Sequence, residues 1–307
     1  MVQISVVIPV ADAGRLPRCL EALARQTLDP SVYEVLVADN EAREGTRRIA
    51  EATPARYLIA PGPGSYAARN AGVREAKGVI VALTDADCVA PPGWLAAIGS
   101  VFERGDADVV VGPSYGLNTD PIGQFVQRID DQRWARMAGD TRMTYCDTRN
   151  LAARRDVLLR EPFDETFRHG GDLEWGIRMA RRGARIVHTP EMAVGHTNVS
   201  TLRDAWRRGV RRGRGVAGLV DKHGDDVRIS GARSLRLLGV DAKTPLIRML
   251  TRPAVRPLSR AALTAANAVI MGSVATCLAL PVLRPAAPPL FHLFDRVSLL
   301  LGRTIGK

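Results

Sequence analysis

An α/β domain on a largely parallel sheet is the fold class this sequence predicts, and three observations predict it. Short β-branched runs alternate with helix-like segments from residue 2 to about residue 113, and strands separated by such helices imply right-handed crossovers. Acidic residues stand at the ends of the second and fourth strand segments, the side of a parallel sheet where ligands gather. With 307 residues, 46% apolar and 24% charged, the chain can bury a sizeable core, which excludes disordered and fibrous classes.

The first strand is Gln3–Val10, ending in Ile8-Pro9-Val10, and Leu16–Arg25 reads as the helix after it. The second strand, Tyr33–Ala38, runs into Asp39-Asn40 and a helix at Thr46–Ala52. Arg56–Ile59 is a short third strand; the loop Pro61-Gly62-Pro63-Gly64 then leads to a helix at Tyr66–Ala76. The fourth strand, Val79–Thr84, ends in Asp85-Ala86-Asp87, and a helix at Trp94–Arg104 precedes a fifth strand at Asp108–Val111. A single Asp at a strand end is ordinarily a turn residue or cap. Here several strand ends bring acids and a cation, Arg69, toward one crevice.

Two motifs in this stretch suggest chemistry. Gly62 to Ala67 matches G-x-G-x-x-A, the dinucleotide fingerprint of an oxidoreductase, but it follows the third strand rather than the first and carries Pro63. Asp85-x-Asp87 after an apolar strand is a clamp for a hard divalent cation, Mg²⁺ or Mn²⁺, which takes oxygen ligands and keeps positions for water and phosphate.

In order and spacing, SVVIPV (Ser5–Val10), VADN (Val37–Asn40), AARNAG (Ala67–Gly72), LTDADC (Leu83–Cys88), RNLAARRDVL (Arg149–Leu158), PFDETF (Pro162–Phe167) and GGDLEWGIRMARRGARI (Gly170–Ile186) resemble the family 2 glycosyltransferases. The resemblance covers roughly residues 3–200 and implies the GT-A fold, a Rossmann-like mixed, mostly parallel sheet that binds nucleotide sugars. It implies that Pro9 and Val10 line the base pocket, Asp39 bonds the base, Arg69 helps hold the nucleotide, and Asp85 contacts ribose or metal. Asp87 would bind the metal that bridges the diphosphate, and His196 would approach it. Asp172, at the start of a helix with Leu173, Ile177 and Ala180 on one apolar face, would deprotonate the acceptor hydroxyl with inversion at the sugar. Read without the resemblance, Asp172 is equally the N-cap of that helix, and cap and base are not exclusive. Gly171 departs from the family pattern, which has an acid there, so a second acidic role is lost or passes to Glu174. That departure also leaves open a noncatalytic, membrane-associated nucleotide-sugar-binding protein.

The net charge of +11 is unevenly placed. Residues 1–199 hold 24 basic and 26 acidic side chains, residues 200–260 hold 15 and 5, and the remainder 4 and 1, giving −2, +10 and +3. Three segments are therefore expected: a catalytic domain over 1–200, a basic helical segment over 201–260, and an apolar tail over 261–307. Leu202–Gly218 carries Arg207, Arg208, Arg211, Arg212 and Arg214 on a broad face, with Gly209, Gly213 and Gly215 weakening the helix. Ala261–Leu283 is 23 uncharged residues, long enough to span a bilayer, flanked by Arg252, Arg256, Arg260 and Arg284. Leu290–Leu301, interrupted by Asp295-Arg296, reads as interfacial. The partners expected are a nucleotide-diphosphate sugar, a glycan or lipid-linked acceptor and an anionic membrane surface at the cytoplasmic face; with no recognition motif, nucleic acid is not among them. Four dispersed cysteines and no evident cleavable signal fit a reducing compartment.

Overall fold

The computed structural model describes residues 2–137, 145–223, 256–279 and 286–305, in two compact units. The first unit is Met1–Leu117 with Trp134–Thr197; the second is Asn118–Arg133 with Asn198–Lys307.

In the first unit β1 (Ile4–Val10), β2 (Tyr33–Asp39), β3 (Arg56–Ile59) and β4 (Ile80–Thr84) pair in parallel in the order β3-β2-β1-β4. Beyond β4 lies β8 (Asn150–Arg154), antiparallel to both β4 and β6 (Val109–Val111), and β9 (Ile186–His188) completes the seven-stranded sheet parallel to β6. A smaller sheet joins β5 (Cys88–Val89), β10 (Val194–His196) and β7 (Ser114–Gly116). The helices are α1 (Leu16–Ala24), α2 (Glu44–Glu51), α3 (Ser65–Glu75), α4 (Trp94–Glu103), α6 (Arg155–Arg160) and α7 (Gly171–Arg181). The strands and helices expected before residue 113 all form, with ends within two residues of those read from the sequence.

Every residue of β1 is buried, as a central parallel strand covered on both faces requires, and its continuous apolar run follows from that. Its one hydroxyl is satisfied: Ser5 donates to Glu34 at 2.7 Å and accepts from the Gly78 amide at 2.8 Å. Small residues let α3 lie close on the sheet. Ala68 and Ala71 meet Ala38 and Ala60, and a Cβ on Gly72 would collide with Val7. Asn70, buried in α3, receives the Phe163 amide at 3.0 Å and donates to the Phe163 carbonyl at 2.8 Å. That exchange fastens the 161–170 loop, and with it the start of α7, to the helix beside β1.

The second unit is helical: the first part of α5 (Pro121–Met137), α8 (Leu202–His223), α9 (Arg256–Ala279) and α10 (Ala287–Ile305). Val126, Ile129, Ala205, Val274, Phe291 and Phe294 form its core. The glycines expected to weaken α8 instead allow contact with α10. A Cβ on Gly213 would meet the Leu299 carbonyl, and one on Gly302 the Val210 carbonyl, so the two backbones lie too close for any side chain. The interfacial reading of Leu290–Leu301 is also corrected. α10 passes unbroken through Asp295-Arg296 and buries Phe291, Phe294, Leu299 and Leu301. Asp295 accepts from Arg212 at 3.1 Å, which lets the acid sit within the packed helices. Of the apolar run Ala261–Leu283, residues 280–283 lie outside the described residues, as do the flanking Arg252 and Arg284.

Gly213→Val should therefore destabilise the protein by about 2 kcal/mol or more through overpacking. Gly272→Ala, on α9, would place its methyl group in open space, with no neighbour within 4 Å. That change should be neutral or stabilise by up to about 1 kcal/mol through helix propensity. Thermal unfolding of the two variants checks both signs.

Candidate active site

The parallel pairing of β2, β1 and β4 brings Asp39, Val10 and Thr84 to one end of the sheet. From there the chain past β4 turns through Asp85 and Asp87, with side chains 29% and 33% exposed, so both acids remain reachable from solvent. Cations surround them. Arg69 on α3, almost wholly buried, donates to Asp85 at 2.5 Å and lies 5.6 Å from the centre of the Tyr66 ring. Arg15 stands 3.7 Å from Asp87, and His196 Nε2 lies 3.5 Å from the same carboxylate.

These neighbours separate the two acids electrostatically. Burial raises the Asp85 pKa, and the charges of Asp87 and Asp147 add to that rise against the pull of Arg69. Burial acts the same way on Asp87, but the His196 bond, with the charges of His196, Arg149 and Arg15, outweighs it and leaves Asp87 below the usual carboxylate range. His196 is held in turn by Arg149, whose Nη1 lies 3.4 Å from Nδ1. A guanidinium only donates, so whenever the imidazole is neutral this contact puts the lone pair on Nδ1 and the proton on Nε2, facing Asp87.

Asp172 belongs to the same site. It is the second residue of α7, whose N-cap is Gly170 in the left-handed conformation (φ 76°), so Asp172 is not the cap. Its Oδ1 accepts from the Leu173 amide at 2.9 Å and from the Tyr66 hydroxyl at 3.2 Å. Burial and the charge of Asp147 push its pKa up to about 6, against the lowering effects of the Leu173 amide, Arg69 and Tyr66. Glu174 is fully buried and bonded to Arg178 at 3.0 Å, while Arg178 also holds Glu161 at 2.9 Å.

A cavity of about 320 Å³ opens beside the β1 and β2 ends, lined by Pro9, Val10, Ala11, Asn40, Glu41, Gly62, Pro63, Gly64, Ser65 and Arg168. Pro9 and Val10, which the family resemblance assigns to a base pocket, line this cavity. Asp39 does not line it: the side chain is fully buried, and its oxygens accept from the amides of Glu41 and Arg43, both at 2.9 Å, and from the Tyr57 hydroxyl at 3.3 Å. Asp39 shapes the cavity wall by holding the loop that carries Asn40 and Glu41. The Gly62–Gly64 loop forms the opposite wall, with both glycines at positive φ (84° and 97°).

Three residues that the sequence does not mark for a role are also present. Arg168 enters the cavity from the loop before α7. Asp147, in the turn before β8, is gripped through both oxygens by Arg149 and acts on Asp85 and Asp172 through its charge. Tyr66 reaches Asp172 across 106 residues of sequence. Asp147 and Tyr66 act on Asp172 through chain folding, which leaves no spacing signal; Arg149 opens the RNLAARRDVL stretch, and Arg168 is legible only as the neighbour of PFDETF.

Several known proteins are similar to this chain in sequence or fold. Glycosyltransferase AglE of Haloferax volcanii is 32% identical over 193 residues, 60% of this chain and 63% of its own, so the match spans under two thirds of that relative. Validoxylamine A glucosyltransferase of Streptomyces hygroscopicus subsp. limoneus is 30% identical over 255 residues, covering 68% of this chain and 56% of its own. Among solved structures, the mannosyltransferase PcManGT of Pyrobaculum calidifontis, in complex with GDP-Man and Mn²⁺, superposes with a TM-score of 0.61 at 20% identity, over 97% of this chain and 85% of that one. Glucosyl-3-phosphoglycerate synthase of Mycobacterium tuberculosis, with Mn²⁺, UDP-Glc and phosphoglyceric acid, gives a TM-score of 0.54 at 20% identity, over 73% of this chain and 80% of that one. The profile of glycosyl transferase family 2 matches residues 5–167, more than half of the sequence, and the chain belongs to that family, with the GT-A fold.

Proposed function

We propose that the protein transfers a sugar from a nucleoside-diphosphate donor to an acceptor hydroxyl by a single inverting displacement, with Asp172 as general base. The observation that carries this reading is a half-buried carboxylate, raised to about 6, in the same site as the strand-end pair Asp85 and Asp87. A base of that pKa is ionised at neutral pH yet basic enough to share a proton in the transition state. The acceptor oxygen bonds to the anomeric carbon as its proton passes to Asp172. The bond from that carbon to the diphosphate breaks on the opposite face, and the pair of electrons leaves with the nucleoside diphosphate. The cavity between Val10 and the Gly62–Ser65 loop suits the nucleoside, and Arg168 places a cation beside it. Solved relatives in complex with GDP-Man, UDP-Glc and UDP-GlcNAc support a donor of this class.

A divalent cation, Mg²⁺ or Mn²⁺, fits the donor set. Among the described residues no three His, Cys, Asp or Glu side chains form a ready-made cage; a hard cation bound here would take diphosphate oxygens and water as its further ligands. Asp87 would hold it, since its environment keeps the carboxylate ionised, and Asp85 stands two residues away, oriented by Arg69. His196 ligates through Nε2 only in the tautomer with its proton on Nδ1, and Arg149 must then give up its contact. When bound, the cation neutralises charge on the leaving diphosphate.

The same proposal places the helical unit on a membrane. α9 contains a 20-residue apolar stretch, Arg260–Ala279, with only 17% of its most apolar window buried and Val269 71% exposed. On α8 the exposed Arg203, Arg207, Arg211 and Arg214 recur at helical spacing along one face, which suits an anionic surface. An acceptor that is lipid-linked would be presented there.

Asp172→Asn should lower turnover by at least about 100-fold while nucleotide binding persists. Because the folded protein raises this pKa, the ionised acid costs stability increasingly as pH rises through about 6. The variant should therefore unfold no earlier than the parent at pH 8, and a lower melting temperature there would attribute lost activity to misfolding. In the parent, kcat/KM should fall as pH drops through about 6. Asp87→Ala should abolish the Mn²⁺-dependent part of GDP or UDP binding in calorimetry; unchanged metal dependence would remove the ligand assignment. In flotation, the full chain should rise with phosphatidylglycerol vesicles, and Val269→Asp should weaken that association.

A further inference from the structure

Gly171 stands where the family pattern places an acid, and the structure shows what occupies the space. A Cβ at position 171 would lie 2.7 Å from Cε2 and 2.9 Å from Cζ of Tyr66. Tyr66 is buried at the start of α3, its ring stacked obliquely on Phe163 at 5.7 Å, and Phe163 leans on Trp175 of α7 at 5.2 Å. The ring therefore has one position, and its hydroxyl meets α7 twice. The oxygen accepts from the Asp172 amide at 3.1 Å, and its proton is directed to Asp172 Oδ1 at 3.2 Å. One phenol thus satisfies an otherwise unpaired amide in the first turn of α7 and fixes the carboxylate of the same residue. The other groups acting on that carboxylate are the Leu173 amide on its own helix, Arg69 from α3 and Asp147 from the turn before β8; the buried Cys146 thiol beside Asp147 is itself pushed up by the Asp172 charge.

We propose that Tyr66 is the positioning residue for the base, and that Gly171 is required because it gives the Tyr66 hydroxyl access to Asp172. The proposal rests on the reading of Asp172 as base. Tyr66 stays protonated throughout the working range, because burial and the nearby Asp172 charge raise its pKa well above the ordinary value. It is thus a permanent donor. A donor to the carboxylate favours the ionised form and lowers its pKa, so removing it moves the titration upward.

Tyr66→Phe keeps the ring and deletes the hydroxyl. Two measurements on the full chain test it. In thermal unfolding, the gap between parent and Tyr66→Phe should be wider at pH 8 than at pH 5, because the lost bond is to an ionised group. The widening should vanish when both proteins also carry Asp172→Asn. In donor turnover, followed as GDP or UDP release with Mn²⁺ from whichever of GDP-Man, UDP-Glc or UDP-GlcNAc the parent uses, kcat should fall about tenfold with KM for the donor little changed. The acidic limb of the pH profile should move up by about one unit. Should Tyr66→Phe fail to fold, Gly171→Ala serves in its place: it displaces the ring with the hydroxyl present and should give the same direction of shift. An unmoved limb together with a pH-independent stability gap overturns the positioning role while leaving the base intact. Turnover retained in Asp172→Asn overturns the base itself, and the two failures are distinct.

Discussion

The arrangement depends on gathering four carboxylates, Asp85, Asp87, Asp147 and Asp172, into one partly buried site. Like charges in a medium of reduced dielectric repel strongly, and burial alone drives each toward its neutral form. The chain answers with fixed cations. Arg69 reaches Asp85 from inside α3, Arg149 encloses Asp147 in a two-residue turn, and Arg15 and His196 face Asp87. The result is a graded set: Asp87 is held low by His196 and two guanidinium groups, whereas Asp172, which forms no side-chain ion pair among the described residues, is raised. Carboxylates pushed apart in this way suit different tasks, one as a standing anion and the other as a proton acceptor. Much of the surrounding fold maintains that separation. The small residues of α3 bring Arg69 near the sheet, and Asn70 fastens the loop that leads to Asp172.

What was legible in the sequence followed from periodicity and strand ends. β1 and β4 announce themselves because buried parallel strands are continuously apolar, and Asp85 and Asp87 stand directly after β4. Pro9 and Val10 end β1, but their assignment to a pocket comes from the family resemblance and not from periodicity. Asp39 shows the boundary of that logic. A strand-end acid can face a ligand or close its own turn, and here both oxygens go to the turn, leaving Asn40 and Glu41 at the cavity. Asp147 and Tyr66 were not legible at all, since each acts on Asp172 through tertiary proximity that no local pattern encodes.

Charge in the helical unit shows the same division between composition and use. The excess in residues 200–260 suggests one continuous basic surface, but α8 spends its arginines on two different faces. Arg208 holds Asp130 at 2.8 Å and Arg212 holds Asp295 at 3.1 Å, both within the packed helices. Arg203, Arg207, Arg211 and Arg214 remain exposed at the alternate positions. Glycine spacing makes this possible. With Gly209 and Gly213 against α10, one side of α8 is backbone-to-backbone contact, and the long side chains are displaced to its flanks. Net charge alone therefore overstates what is available to a polyanion by the number of arginines committed inside.

A missing motif residue is easily read as lost function, and position 171 argues otherwise. An acid there would place a second negative charge one residue from Asp172, adding to the effect that Asp147 already exerts and raising the pKa further. It would also exclude Tyr66, the neutral donor that acts in the opposite sense. Glycine removes the like charge and admits the hydroxyl in one change, so both consequences lower the carboxylate relative to the paired-acid arrangement. With Asp147 pushing up and Tyr66, Arg69 and the Leu173 amide pulling down, the balance falls near 6, low enough for the group to be ionised at neutral pH. The departure at Gly171 is thus compensated by Tyr66 on a different helix, and the two residues have to be read as one feature.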